Sequence, residues 1–340
     1  MKRRLGAARL GLTREITATP AQTFATGPNA KAQENNTLSY EGYTKVWGDE
    51  FDGDSLNRDD WNVETHEKGW VNCELQEYVD SEENIQVKDG KLVINPVKKV
   101  SSVESKAVGN LLKNSDFSEG MEGWTQTIAN RGGETGSADA STKEVVSYTS
   151  GRVSTQNKQT FTYGRFECRA KVPKGQGYLP AFWLMANDEN LYGQWPRCGE
   201  IDCMEVMGQE TNKAYGTVHY GNPHAQSQGT YYTGENESDF SDDFHVFTCD
   251  WEPGKITWYV DGVKYHEEND WYSTTVGQGT LAYPAPFDQP FYIILNLAVG
   301  GSWVGNPNDE TSFENNPYEI DYVRVYQKDS YNEDVKRPVK

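Results

Sequence analysis

Apolar residues recur in short runs with a period of two along most of this chain. Such alternation puts successive side chains on opposite faces of a strand. It predicts strands over residues 45–51, 84–87, 91–94, 144–148, 151–155, 160–171, 178–185, 214–220, 244–251, 256–260, 291–299 and 318–326. Within 160–171 the alternating apolar set is Phe166, Cys168 and Ala170. Lys88-Asp89-Gly90 reads as the tip of a hairpin and Asp261-Gly262 as a second turn. Runs spaced about ten to fifteen residues apart, with almost no helical periodicity, predict a large antiparallel β-sandwich.

One stretch does not fit the simple rule. Residues 195–208 carry Glu200, Asp202 and Glu205 among apolar neighbours. On a regular strand Glu200 and Asp202 share a face, and Glu205 points the other way. One extra residue at Cys203-Met204, a β-bulge, would return Glu205 to the face of the other two. Three acids on one face repel, which raises the pKa of at least one of them. A raised acid beside an ionised carboxylate is the chemistry of glycosidic bond cleavage. A solvated face of an ordinary strand would carry the same residues.

Composition narrows the partners. The formal net charge of −19 over 340 residues excludes a nucleic-acid binder, because phosphate contacts need a basic surface. Ten Trp and twenty Tyr suit a neutral ligand with apolar faces, such as a sugar ring, although most aromatics on strands are core. The five cysteines (73, 168, 198, 203 and 249) include no CxxC pair, so neither a disulfide framework nor a zinc site is suggested. Cys168, Cys203 and Cys249 read as buried thiols, and one disulfide remains open. No apolar run reaches transmembrane length, so no membrane partner is expected. Lys2-Arg3-Arg4 resembles the basic start of an export signal, but Arg9, Arg14 and Glu15 interrupt the apolar run that such a signal needs.

Residues 1–40 are rich in Ala, Thr, Asn and Gln and read as a disordered extension. The sandwich is expected over 41–330, with 331–340 a C-terminal tail. Residues 101–145, rich in Ser, Gly, Glu, Asn and Thr, read as a surface insertion between two strands. Within it, residues 110–124 resemble the opening of a β-sandwich carbohydrate-binding module, with room for only a fragment of one.

Several segments, in order, carry a family resemblance: Trp47-Gly-Asp-Glu-Phe51, Trp70-Val-Asn-Cys-Glu-Leu-Gln76, Tyr163-Gly-Arg-Phe-Glu-Cys-Arg169, Pro180-Ala-Phe-Trp183, 195–205, Val218-His-Tyr-Gly221, Trp258-Tyr-Val-Asp-Gly262 and Ile320-Asp-Tyr-Val-Arg-Val-Tyr326. Together they resemble glycoside hydrolase family 16, in particular its laminarinase-like endo-β-1,3(4)-glucanases. The resemblance implies an all-β jelly roll of the concanavalin A type, with two curved antiparallel sheets and a cleft across the concave one. It implies Glu200 as nucleophile, Glu205 as general acid/base, and Asp202 as the group that sets the protonation of the nucleophile. A retaining pair of this kind stands about 5 to 5.5 Å apart.

Asn72, Glu167, Arg169, His219 and Asn296 match positions that line the family's cleft, and Trp183 and Trp195 are candidates to stack on glucose. Trp183 serves equally as core packing, and His219 also reads as a satisfied core histidine. Tyr178-Leu179 stands where relatives often carry Trp, which puts one sugar subsite in question. A structural calcium, with no cofactor for catalysis, is implied at Glu50, Gly90 and Asp321, through backbone carbonyls and one carboxylate. The expected substrate is a β-1,3- or mixed β-1,3-1,4-glucan, acted on by a monomer outside the cell. Alternatives are a non-catalytic β-glucan recognition protein and a relative acting on a galactan or xyloglucan. Transglycosylation would use the same intermediate.

Overall fold

The structure is a computed structural model that describes residues 40–104, 142–234, 239–275, 277 and 279–339. In chain order the strands are β1 (Tyr43–Asp49), β2 (Asn62–Val63), β3 (Gln76–Tyr78), β4 (Ile85–Val87), β5 (Leu92–Ile94), β6 (Val97–Glu104) and β7 (Thr142–Ser150). They continue as β8 (Arg152–Ser154), β9 (Thr160–Phe161), β10 (Gly164–Lys171), β11 (Tyr178–Ala186), β12 (Glu200–Glu205), β13 (Lys213–Tyr220) and β14 (Ala225–Tyr232). The last are β15 (His245–Glu252), β16 (Lys255–Val260), β17 (Val263–Glu268), β18 (Thr274–Thr275), β19 (Gly279–Thr280), β20 (Phe291–Val299) and β21 (Tyr318–Lys328). Among the described residues one helix, α1 (Glu189–Tyr192), is a single turn capped by the Asp188 carboxylate.

Two eight-stranded antiparallel sheets hold most of these strands. The outer sheet runs β17-β16-β15-β10-β21-β5-β4, with β1 also on β21. The inner sheet runs β14-β13-β12-β11-β20-β8-β2, with β9 also on β20. A third, smaller sheet, β3-β7-β6, carries the ends of the segment expected as an insertion. There β6 and β7 pair antiparallel from Val97↔Thr149 to Glu104↔Thr142. Residues 105–141 between them, including the module-like 110–124 stretch, lie outside the described residues, as do 1–39.

The apolar alternation places the core between the sheets. Phe166, Cys168 and Ala170 of β10 and Ile201, Cys203 and Met204 of β12 belong to one continuous buried cluster. Trp61, Trp251, Trp258 and Trp271 are fully buried in it. Removing each such side chain from water contributes about 1.5–3 kcal/mol or more. All five cysteines are free thiols, four of them buried and Cys73 exposed. At the 88–91 tip, Asp89 and Gly90 both adopt left-handed backbone, at φ 53° and 68°, and Lys88 and Lys91 exchange backbone hydrogen bonds. This is the tight turn that suits the twist of a hairpin.

Three strands of six residues or more fall outside the expected set: β6, which runs into the segment expected as an insertion, and the edge strands β14 and β17. β14 reads Ala-Gln-Ser-Gln-Gly-Thr-Tyr-Tyr, alternating between half-buried and exposed, and both of its faces are largely polar. β17 follows the 261–262 turn with Val263, Lys264 and two glutamates. Neither carries an apolar stripe, and both are edge strands recruited by hydrogen bonding to a neighbour.

Candidate active site

The register of β12 is broken where the acids are. Against β13, Asp202 pairs with Thr217 and Glu205 with Tyr215, so three steps on one strand match two on the other. Against β11, Asp202 pairs with Trp183, Met204 with Phe182 and Glu205 with Ala181, which leaves Cys203 as the extra residue. Cys203 and Met204 both turn into the core, and Glu205 returns to the cleft face with Glu200 and Asp202. The bulge at Cys203-Met204 is therefore present. Opposite it lies Gly216, where an added Cβ would fall 2.4 Å from Trp258 Cδ1. The Trp258 indole fills that space and donates from Nε1 to the Asp202 carbonyl at 2.8 Å, tying the acidic strand to the outer sheet.

Three rows cross the floor of the inner sheet. The first runs Tyr292–Met185–Glu200–His219–Gln226, the second Ile294–Trp183–Asp202–Thr217–Gln228, and the third Arg152–Asn296–Ala181–Glu205–Tyr215. The floor lies under an open cleft of about 530 Å³ lined by the three acids, Trp70, Asn72, Glu74, Arg152, Trp183, Trp195 and Asn296. A second depression continues past Glu200 and Glu205 to His219 and Trp303.

Burial dominates the electrostatics. Desolvation, then the charge of Asp202 and then of Glu200, pushes the Glu205 carboxyl well above its ordinary value. Glu200 is raised by the same burial and by Asp202, but three groups oppose the rise: the His219 charge, the Trp195 indole N–H and the Arg152 guanidinium. Glu200 is thus the more readily ionised of the two. His219 Nε2 stands 3.2 Å from Asp202 Oδ2 and 3.8 Å from Glu200 Oε1. Burial works against its charged form, yet the two carboxylates outweigh that and hold His219 above its ordinary value.

The neighbouring side chains are fixed by one another. Trp183 Nε1 donates to Asn296 Oδ1 at 2.7 Å, and Asn296 Nδ2 donates to Tyr78 Oη at 3.0 Å. Trp183 is only partly buried and lines the cleft, so it packs on the core and presents a face to the site. The Arg152 guanidinium lies between the rings of Trp183 and Trp70, 4.9 and 5.3 Å from their centroids, and pairs with Glu64. Asn72 sits at the cleft wall with φ 51°, a left-handed conformation that Asn tolerates, and its carbonyl accepts from Ser302 N at 2.9 Å. Trp195 is 45 % exposed beside the acids.

Two expected cleft residues are elsewhere. Glu167 and Arg169 lie on β10, in the outer sheet, and neither borders the cleft. They do share a face, but it is the one turned away from the core. Glu167 is completely buried there, bonded to Arg165 at 2.9 Å and to the Tyr40 hydroxyl. Arg169 pairs with Asp321 at 2.7 Å and lies 4.8 Å over the Phe244 ring. Alternation assigns a side chain to a face, not to a sheet, so the i, i+2 argument could not detect this.

Arg152, Glu74, Trp70 and Trp303 are cleft residues that sequence reasoning did not single out as site residues. A signal existed for Glu74 and Trp70, which fall inside the Trp70–Gln76 motif. Glu74 is buried, takes a 2.7 Å bond from Gln76 Nε2, and is pushed up by that burial. Arg152 and Trp303 had none, because only the folded sheet brings them to the acids.

An acid row on the floor of an open, tryptophan-walled cleft across a β-sandwich defines a polysaccharide-cleaving glycoside hydrolase. The chain belongs to glycosyl hydrolases family 16, whose model matches residues 113–324. It is 37 % identical over 291 residues to a glucan endo-1,3-beta-glucosidase of Cryptopygus antarcticus, covering 82 % of this chain and 90 % of that protein. It is 35 % identical over 329 residues to glucan endo-1,3-beta-glucosidase A1 of Niallia circulans, covering 90 % of this chain but spanning 42 % of that relative. Among solved structures, the laminarinase catalytic domain of Thermotoga maritima superposes with a TM-score of 0.62 at 34 % identity, covering 85 % of this chain and 100 % of that one.

Proposed function

We propose that this protein is an endo-acting hydrolase of β-1,3- or mixed β-1,3-1,4-glucans that works with retention of configuration. The observation that carries the reading is the bulge that returns Glu205 to the face of Glu200 and Asp202. Glu200, the more readily ionised, attacks the anomeric carbon. Glu205, kept protonated by burial and its two acidic neighbours, delivers a proton to the departing oxygen. A glycosyl ester on Glu200 results. Glu205, now ionised, takes a proton from water, which attacks the same carbon and releases Glu200. Asp202 and His219 stay beside Glu200 throughout and bias its charge.

The open cleft, with Trp70 and Trp195 half exposed at its wall, accepts a chain along its length rather than only a chain end. Neutral glucose rings stack on indoles without a charge requirement, which suits a strongly acidic protein. The retained acids disfavour a role limited to glucan recognition. We further propose that the protein acts as a monomer outside the cell, where such polysaccharides are met.

A structural calcium is also proposed. The end of β1 and the start of β5 both reach β21 close to Asp321, since Asp49 pairs with Val323 and Leu92 with Ile320. Glu50 and Gly90 would offer carbonyls there and Asp321 its Oδ1, the carboxylate oxygen left over by Arg169, which holds Oδ2 at 2.7 Å; an all-oxygen set suits this cation. The Glu50 carboxylate is committed to Lys45 and Arg324, so only its carbonyl is free to take part. The ion would pin the ends of β1 and β5 to β21 and supply no chemistry to the cleft.

The deciding experiment is product analysis on laminarin, lichenan, barley β-glucan and agarose, with the anomeric form of the first product followed by proton NMR. Oligosaccharides of β-configuration from the glucans, and nothing from agarose, are expected. Cleavage of agarose alone would overturn the substrate assignment.

A further inference from the structure

His224 stands just after the β13 strand, exposed at the rim of the cleft, outside the acid row. Its Nε2 lies 2.9 Å from His219 Nδ1, and the two imidazoles are 5.2 Å apart between centroids at 22°. The other nitrogen of His219, Nε2, is the one that faces Asp202 and Glu200. The Trp195 ring packs on both imidazoles, at 6.0 Å from His219 and 5.0 Å from His224.

We propose that His224 is a positioning residue for the hydrolysis, acting through His219. A nitrogen-to-nitrogen contact of this length needs one proton between the two rings. Two neutral rings leave the direction of that bond open, whereas a cation on His219 fixes it. His219 Nδ1–H then donates to His224 Nε2, and Nε2–H is turned to the carboxylates. The groups around the pair place the charge on His219. From β12 it faces Glu200 and Asp202, with Glu205 further along the same strand. Glu74 borders the same depression from the facing loop. From β14 come only the uncharged Gln226 and Gln228. Partial burial and then the His219 charge hold His224 below its ordinary value, which keeps it neutral and able to accept. The His219 cation in turn favours ionised Glu200, the form that attacks.

The inference rests on the proposed hydrolysis, and its test separates the two. His224→Phe keeps a ring against Trp195 but cannot accept a proton, while His224→Gln offers an amide oxygen at all pH values. Rates on laminarin are to be measured across the pH range for both variants and the parent. The Phe variant is expected to lose about tenfold in kcat/KM, the scale of one hydrogen bond to a charged group. Its acid limb should move to higher pH, since Glu200 ionises less readily once the His219 cation is weakened. The Gln variant should recover most of both effects.

An unmoved pH profile in the Phe variant overturns the proposal. So does a loss confined to KM, which would mark His224 as a sugar contact, or a Gln variant as impaired as the Phe variant. Nitrogen NMR of the imidazoles gives a reading without turnover: the His219 titration midpoint must fall in the Phe variant, and an unchanged midpoint rejects the pair. If the parent leaves β-glucans intact, the hydrolase reading fails while the NMR result still decides the histidine pair.

Discussion

Glu200 and His219 stand directly across from each other in the β12–β13 register, with the imidazole Nε2 3.8 Å from the carboxylate Oε1. A neighbour that gains positive charge lowers the cost of ionising a buried acid. Glu205, one row beyond Asp202, is pushed up by burial and by the charges of Asp202 and Glu200. The division of labour between two chemically identical side chains arises from this difference.

Replacing either acid by Gln removes one role while preserving shape. Glu200→Gln and Glu205→Gln are each expected to lower kcat on laminarin by about a thousandfold or more. Circular dichroism should remain that of the parent, and neither variant should melt below it. Near-parental turnover in the Glu200 variant would reject the nucleophile assignment.

The raised Glu205 carboxyl has a stability consequence with a definite sign. Its native form holds a proton that the unfolded chain has already released, so between the ordinary carboxylate value, about 4.3, and its raised value the native state binds more protons. Stability contributed by this group is present below that window and is lost as pH rises through it. Glu205→Gln, which has nothing to ionise, should therefore gain melting temperature over the parent at about pH 8 more than at about pH 5. A difference independent of pH would show that Glu205 is not held protonated.

Gly216 lies opposite the bulge, where a methyl group would overlap the Trp258 ring at 2.4 Å. Gly216→Ala should push Trp258 off the Asp202 carbonyl and cost about 1–3 kcal/mol of stability, the usual scale of overpacking. Urea unfolding measures the loss, and kcat should fall as Asp202 and Glu205 lose their alignment. Parental stability and rate together would mean that the indole does not hold the bulge.

If calcium joins the ends of β1 and β5 to β21, added Ca²⁺ should raise the melting temperature and EDTA should lower it. At a hundredfold excess over the dissociation constant the gain is about 2.7 kcal/mol. Asp321→Asn should abolish the response to calcium without altering turnover. Scanning calorimetry that is indifferent to both additives would remove the ion from the picture.

The sequence was most legible where side-chain periodicity and burial coincide. β20, apolar on both faces, emerges at its folded limits, whereas the single strand expected over 160–171 divides at Tyr163-Gly164 into β9 on the inner sheet and β10 on the outer one, with Phe166, Cys168 and Ala170 inward. The misfit of Glu205 was legible as a parity error, and a single extra residue was enough to predict its cure. By contrast β14 was invisible, because a polar edge strand depends on its neighbour's backbone rather than on its own pattern.

By itself, the sequence determined that this protein is a β-sandwich and that Glu200, Asp202 and Glu205 belong to one site, because strand alternation and a bulge are local rules. The tertiary structure alone decided which sheet each polar face belongs to. Glu167 and Arg169 alternate as a cleft strand would, yet β10 pairs with β15 and β21 on the far side of the core. Arg152 reaches the acids only because β8 is hydrogen-bonded to β20. Sheet membership is set by long-range pairing between distant segments, and no short stretch of residues encodes it.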